Sequence, residues 1–334
     1  MSNKCSLVIE DIKFILKSNN QNCNNYTFNC KNNYLCLKYK IFCVKVNYCL
    51  FTEYDIENKT PEYINYLRKK INELFDKVYK PKKQCGNKGI IVLVHGAWHD
   101  GPLLENTANY IRKEGYSVYT PTITGNKWGD DRSTVNLTDA INSIVEYINN
   151  LKLKNIILVA HSYGGMVISG VVDVMYKLNI IKRLVYWNAF VPSNGQSLND
   201  MVPQSYIDLF NNLAAENNNS ITLPFPIWRE RFINYADYEL ANSSWNSLNP
   251  HPNLTFTEKI NFKNFNELAE IDIAKSYING YADTALPLPS DTTWSPRLSE
   301  KLGFHRYINH LYDHEILFYN PEYLAELIIK AGRD

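Results

Sequence analysis

The first 85 residues contain no glycine, and nothing after Cys85 is a cysteine. All fourteen glycines and all seven cysteines of the 334-residue chain thus fall on opposite sides of one boundary. No C-x-x-C pair occurs and the first histidine is His95, so the close ligand pairs typical of zinc sites are missing and no metal is expected. An odd number of cysteines would leave one thiol over from a closed disulfide framework. No apolar h-region follows the amino terminus, so neither a secretory signal nor disulfides are expected. The thiols read as small buried apolar side chains. No run reaches the ~18 apolar residues of a membrane helix; the best stretch, 34–51, is broken by Lys38, Lys40 and Lys45. A net charge of +1 removes the electrostatic case for nucleic acid or an anionic membrane as partner. A cytoplasmic location is the expectation.

That small net charge is a cancellation. Residues 1–85 hold 15 Lys and Arg against 8 Asp and Glu, a net of +7, and residues 86–334 hold 20 against 26, a net of −6. Residues 1–85 read as an N-terminal extension of helix, strand pair and helix. Val8, Ile12, Ile15 and Leu16 have helical spacing, and 34–51 has strand character. Thr60-Pro61 then opens a helix with Ile64, Leu67, Ile71, Leu74, Phe75 and Val78 on one face. This extension is expected to dock on the acidic region or to mediate self-association as a homo-oligomer. Residues 80–89 read as a linker.

From residue 90 the pattern becomes short apolar runs alternating with helices. Strands are expected at 90–94, 117–120, 155–160, 183–186, 275–280 and 304–309. Helices are expected at 103–114, 137–151, 164–177 and 321–331. Such alternation implies an α/β fold, a mostly parallel sheet flanked by helices. Residues 195–265 break the rhythm and read as a helical cap inserted above the strand ends.

The strand at 155–160 runs into A-H-S-Y-G-G at 160–165 and then a helix, a nucleophile-elbow pattern. Ala160 and Gly164 supply the small residues that a sharp strand-to-helix turn needs, and the turn places the Ser162 hydroxyl at a helix N-terminus. An oxyanion hole requires two backbone N–H groups aimed at the developing charge. Tyr163, directly after the serine, offers one, and Ala97, in L-V-H-G-A-W-H at 93–99, offers the other. His95 is expected to brace that loop and His99 to line a pocket or to be structural. A serine nucleophile needs a base, and the base an orienting acid. In the order serine, acid, histidine, Asp283 follows the 275–280 strand and His314 follows the last strand. His305 and His310 lie in or beside that last strand, and Asp272 precedes its strand at the wrong end of the sheet. Asp313 would point away from its neighbour His314.

These stretches resemble the α/β-hydrolase superfamily, in particular small bacterial esterase-like hydrolases related to plant methyl esterases and hydroxynitrile lyases. The similar segments are I-V-L-V-H-G-A-W-H at 91–99, Y-T-P-T-I-T-G at 119–125 and L-V-A-H-S-Y-G-G-M-V-I-S-G at 158–170. R-L-V-Y-W-N-A-F-V-P at 183–192, G-Q-S-L at 195–198, and the segments around Asp283 and His314 continue the resemblance. It implies the eight-stranded family core or a shortened version, a helical cap, and a catalytic set of Ser162, Asp283 and His314 with Ala97 and Tyr163 as oxyanion donors. Ala160 replaces a usual glycine, Asp100 replaces another and adds a charge near the pocket mouth, and Asn188 stands where many relatives carry aspartate. Residues 1–85 have no counterpart.

The lyases of this group typically carry Thr and Lys where this chain has Gly96 and Glu315. Glu315 would oppose a leaving cyanide, so the expectation is a serine hydrolase that cleaves an ester or thioester of a small to medium apolar substrate, without a cofactor. A non-hydrolytic biosynthetic enzyme on the same scaffold, a cyclase or lyase, is the alternative. Trp98, Trp228 and Phe232 are the candidate pocket residues.

Overall fold

The structure, a computed structural model, describes residues 88–127, 129–286 and 293–333, all within the unit Lys83–Asp334. The helix, strand pair and helix expected in residues 1–85 lie outside the described residues. The strands are β1 Ile90–Val94, β2 Ser117–Tyr119, β3 Ile156–His161, β4 Ile181–Trp187, β5 Ser220–Ile221, β6 His251–Pro252, β7 Ala274–Gly280 and β8 Arg306–His310. The main helices are α1 Glu105–Lys113, α2 Leu137–Asn150, α3 Gly164–Met175, α4 Gln204–Glu216, α5 Tyr238–Trp245 and α6 Pro321–Gly332.

Six strands form one sheet in the order β2-β1-β3-β4-β7-β8, and every neighbouring pair is parallel. The sheet is thus a shortened form of the eight-stranded core. Its two faces follow the two-residue period of a strand. In β1, Ile91 and Leu93 pack with Leu104, Ala108 and Ile111 beside α1 and with Leu324 and Ile328 of α6. Val92 and Val94 pack on the opposite face with Ile141 and Ile144 of α2 and Val167 and Val171 of α3. Each fully buried aliphatic side chain contributes roughly 1.5–3 kcal/mol, which is why the strands read as continuous apolar runs.

Capping sets where the helices begin. Asn136 and Asp139 form a reciprocal capping box at α2. Asn320 accepts from the Tyr323 N–H at α6, with Pro321 in the first turn. The helix expected at 103–114 divides instead into a 3₁₀ turn, Gly101–Leu104, followed by α1. Asp100 causes the division: its carboxylate accepts from the Leu103 N–H at 3.3 Å and fixes the tighter turn. Its other oxygen accepts from Asn249 Nδ2 at 3.2 Å, so Asp100 serves as a buried helix cap. Between β4 and β7 lie α4, α5 and short helical turns, together with a feature absent from the expectation of a helical cap, the antiparallel pair β5–β6.

Because all sheet strands run in one direction, their carboxyl ends share one edge. The loops that follow β1, β3, β4, β7 and β8 leave from that edge, where ligands bind in open α/β sheets.

Candidate active site

Ser162 follows β3 at φ +53°, a conformation strained for a residue with a Cβ. Such a residue stores about 1–3 kcal/mol and persists only where its surroundings over-determine it. The Ser162 N–H donates to Trp187 O at 3.3 Å, and its carbonyl accepts from Gly165 N at 3.0 Å and Phe190 N at 3.1 Å. The turn closes only because its neighbours are small. A Cβ on Gly164 would stand 2.7 Å from His95 O, and one on Gly165 would stand 2.1 Å from Phe190 O.

His314 and Asp283 meet from the loops after β8 and β7. His314 Nδ1 donates to Asp283 Oδ2 at 2.6 Å, and both side chains are almost wholly buried. Asp283 Oδ1 accepts from Ala285 N at 2.9 Å, which orients the carboxylate. Burial works against the charged imidazole, but the charge and hydrogen bond of Asp283, reinforced by Glu315 and Asp313, outweigh it and raise the His314 pKa above 6.5. Trp294 stacks on the His314 ring at 5.1 Å and Phe232 meets it edge-on at 5.5 Å. The other histidines near β8 are engaged elsewhere. His310 accepts from Tyr312 N, and burial holds its pKa down at about 4; His305 bonds Gly303 O at the surface. Asp313 faces away from the His314 ring, accepting from Tyr235 N at 2.8 Å, Glu315 N at 3.0 Å and Tyr319 Oη at 2.5 Å.

Ala97 and Tyr163 both border the cavity that Ser162 lines. Among the described residues, no carbonyl or side chain takes the backbone N–H of either. Trp98, next to Ala97, sits at φ +63°. Its indole donates to Ile221 O at 3.0 Å and its carbonyl accepts from Asn249 N at 2.6 Å, which holds the strained loop from above. His95 braces the same loop from below: its Nε2 accepts from Ile123 N at 3.0 Å and its Nδ1–H donates to Gly96 O at 2.8 Å.

The cavity has about 360 Å³ of free space including its mouth. Trp98 and Phe232 line it as expected. Trp228 does not: it is fully buried behind Phe232, stacked on that ring at 5.8 Å with its indole N–H given to Ser244. A satisfied donor and a ring packed on both sides make it part of the framework. Phe190, Tyr206, Phe210, Phe256 and Trp294 are lining residues that the sequence did not single out. Tyr206, Phe210 and Phe256 lie in the inserted segment 195–265, whereas nothing in the sequence distinguishes Trp294.

One further cluster escaped the sequence. His99, His161 and Glu315, all buried, each bring one ring nitrogen or carboxylate oxygen to within 4.8 Å of the others. Two of them already hold each other, at 3.0 Å between His99 and Glu315. His161 is kept neutral, first by burial and then by the neighbouring imidazoles, and its Nε2–H donates to His314 O at 3.0 Å. Among the described residues no helix is long and apolar enough to cross a membrane.

Residues 91–306 match the model of the Alpha/beta hydrolase family. The chain is similar to a carbendazim hydrolyzing esterase from Nocardioides sp. (strain SG-4G), 39% identical over 145 residues, which cover 40% of this chain and 59% of that esterase. It therefore spans about three fifths of the length of that curated relative. Among solved structures, it resembles an extracellular alpha/beta-hydrolase from a Paenibacillus species, described as structurally and functionally homologous to tobacco salicylic acid binding protein 2. That similarity has a TM-score of 0.69 and 37% identity, and covers 73% of this chain and 99% of the other. A methylesterase from Arabidopsis, MES16, shares the fold at a TM-score of 0.57 and 18% identity, covering 72% of this chain and 98% of its own.

Proposed function

The chain belongs to the alpha/beta hydrolase family, and from that premise we propose that it is a serine esterase with Ser162 as nucleophile, His314 as base and Asp283 as orienting acid. The observation that carries this reading is the buried 2.6 Å bond between His314 Nδ1 and Asp283. It commits Nδ1 as a donor, which leaves Nε2 as the lone-pair nitrogen for the serine hydroxyl. Ser162 Oγ attacks the ester carbonyl carbon as its proton passes to His314 Nε2. The carbonyl oxygen becomes an oxyanion held by the N–H groups of Ala97 and Tyr163, each supplying about 3–4 kcal/mol. Collapse breaks the bond to the alcohol oxygen, which takes the proton from His314. Water, deprotonated by His314, then releases the acid from Ser162.

The cavity supports a substrate of matching chemistry. Its described lining is almost entirely aromatic and aliphatic, so it favours uncharged, flat or compact apolar groups on either side of the ester. Glu315 places a carboxylate directly after His314, where the lyases carry Lys, and a carboxylate there opposes an expelled anion, which favours hydrolysis over cyanohydrin-type lyase chemistry.

Replacing Ser162 with Ala tests the reading. Hydrolysis of p-nitrophenyl esters is expected to fall by on the order of 10⁶-fold, as in other serine hydrolases. A fluorophosphonate probe should label the wild type and not the variant. A Ser162→Ala protein with near wild-type turnover would overturn the proposal.

A further inference from the structure

We propose that His99 and Glu315 form a buried positioning pair that locks the loop bearing the Ala97 N–H to the loop bearing His314. The proposal rests on the esterase reading. It is needed because the sheet does not fix these two loops against each other. They leave β1 and β8, between which lie β3, β4 and β7. At about 4.8 Å per strand the two strand ends start some 19 Å apart. No ladder hydrogen bond spans that gap, whereas His99 Nε2 and Glu315 Oε2, 216 residues apart in sequence, meet at 3.0 Å.

The protonation pattern follows from the partners. His99 Nδ1 faces the carbonyl of Ala97 at 2.7 Å, so Nδ1 must carry a proton. Nε2 faces a carboxylate oxygen, so a second proton lies between these two groups. Burial opposes a charged His99, yet the charge and hydrogen bond of Glu315 prevail and raise its pKa. The pair is sealed from solvent, at 2% and 1% side-chain exposure. Such a pair is rigid, because separating its members would strand a charge in the interior.

Each member also touches the reaction centre through its own chain. His99 holds the carbonyl of Ala97, the oxyanion residue two positions back. Glu315 is the residue after His314, and its N–H is held by Asp313. His161, directly before Ser162, packs edge-on against His99 at 5.6 Å and donates to the His314 carbonyl. Nucleophile, base and oxyanion loop thus converge on one buried knot, which neither elbow nor sheet supplies. His99 and Glu315 touch no substrate; they act by placing the groups that do.

The test uses the full chain with Glu315→Gln, His99→Gln and both together. Titration with a fluorophosphonate counts competent sites, so kcat is expressed per labelled Ser162 and misfolded protein drops out. Each single variant is expected to lose roughly 10- to 100-fold in kcat, the effect of a sub-ångström to ångström misplacement, with KM nearly unchanged. The double variant should lose no more than the worse single one, because both break the same link. Unchanged kcat per site in both single variants would overturn the proposal, as would a double loss equal to the product of the two. One tightly bound transition metal per wild-type chain, lost in Glu315→Gln, would overturn it in favour of a ligand set of His99, His161 and Glu315. A wild type that takes no label would sink the esterase reading first, and the pair with it, since no reaction centre would remain to be positioned.

Discussion

As the proposed base, His314 can act only when neutral, so under that proposal the direction of its pKa shift sets the acid limb of activity. Burial lowers that pKa, but Asp283 more than reverses this, and the net shift is upward from 6.5. Activity is therefore expected to fall as pH drops through a value above 6.5. In Asp283→Asn the raising charge is gone, so the acid limb should move to lower pH. The rate should also fall by about 10⁴-fold, because the neutral amide no longer selects the tautomer. A kcat/KM profile against pH for both proteins checks this, and an unmoved limb would separate Asp283 from the base. At this scale the sequence was legible wherever backbone geometry demanded a residue type. The elbow's need for small residues pointed to Ala160 and Gly164, and the order of strand ends put forward Asp283 and His314, which meet at 2.6 Å. It was mute where a role depends on meetings in space. His99 and Glu315 show no mutual signal at a separation of 216 positions, and Trp294 acquires meaning only by stacking on His314.

Elements were legible to the degree that their burial was periodic. β1, β3 and β4 are almost entirely buried and stood out as apolar runs, and the helices expected at 137–151 and 321–331 form as α2 and α6. The β5–β6 pair is two residues long on each side, too short for any periodicity. One contact between elements carries its own expectation. Asp313, in the loop after β8, holds the N–H of Tyr235 from the segment between β4 and β7. Burial pushes the Asp313 pKa up to about 6 from 3.8, against the hydrogen bonds from Tyr319, Tyr235 and Glu315. A carboxyl whose folded pKa is raised contributes stability below its unfolded value and loses it as pH rises through the folded one. Wild-type stability relative to Asp313→Asn should therefore decline between pH 4 and pH 7, by up to about 3 kcal/mol. Melting temperatures of the two proteins across that range measure it, and a constant difference would contradict a buried, proton-holding Asp313.

The whole molecule returns to the boundary between its cysteine-bearing and glycine-bearing parts. Every described strand and helix lies between Ile90 and Gly332. The described members of both apolar clusters belong to that same span, and so does each group assigned a step in the proposed reaction. The Paenibacillus hydrolase is matched over 99% of its length by 73% of this chain, so an entire enzyme of this family is accommodated without the remainder. The +7 charge of residues 1–85 and the −6 of the rest still allow the former to bind the latter, but the proposed reaction draws on no residue of the former. A chain beginning at Lys83 is accordingly expected to unfold in one cooperative transition and to keep the wild-type kcat/KM within error. If residues 1–85 dock on the acidic region, the truncated chain should melt at a lower temperature than the full one, by a difference that shrinks as salt screens the opposite charges. Equal melting temperatures and an unchanged monomeric mass would exclude both docking and self-association. Loss of turnover in a folded truncated protein would instead make residues 1–82 part of the enzyme itself.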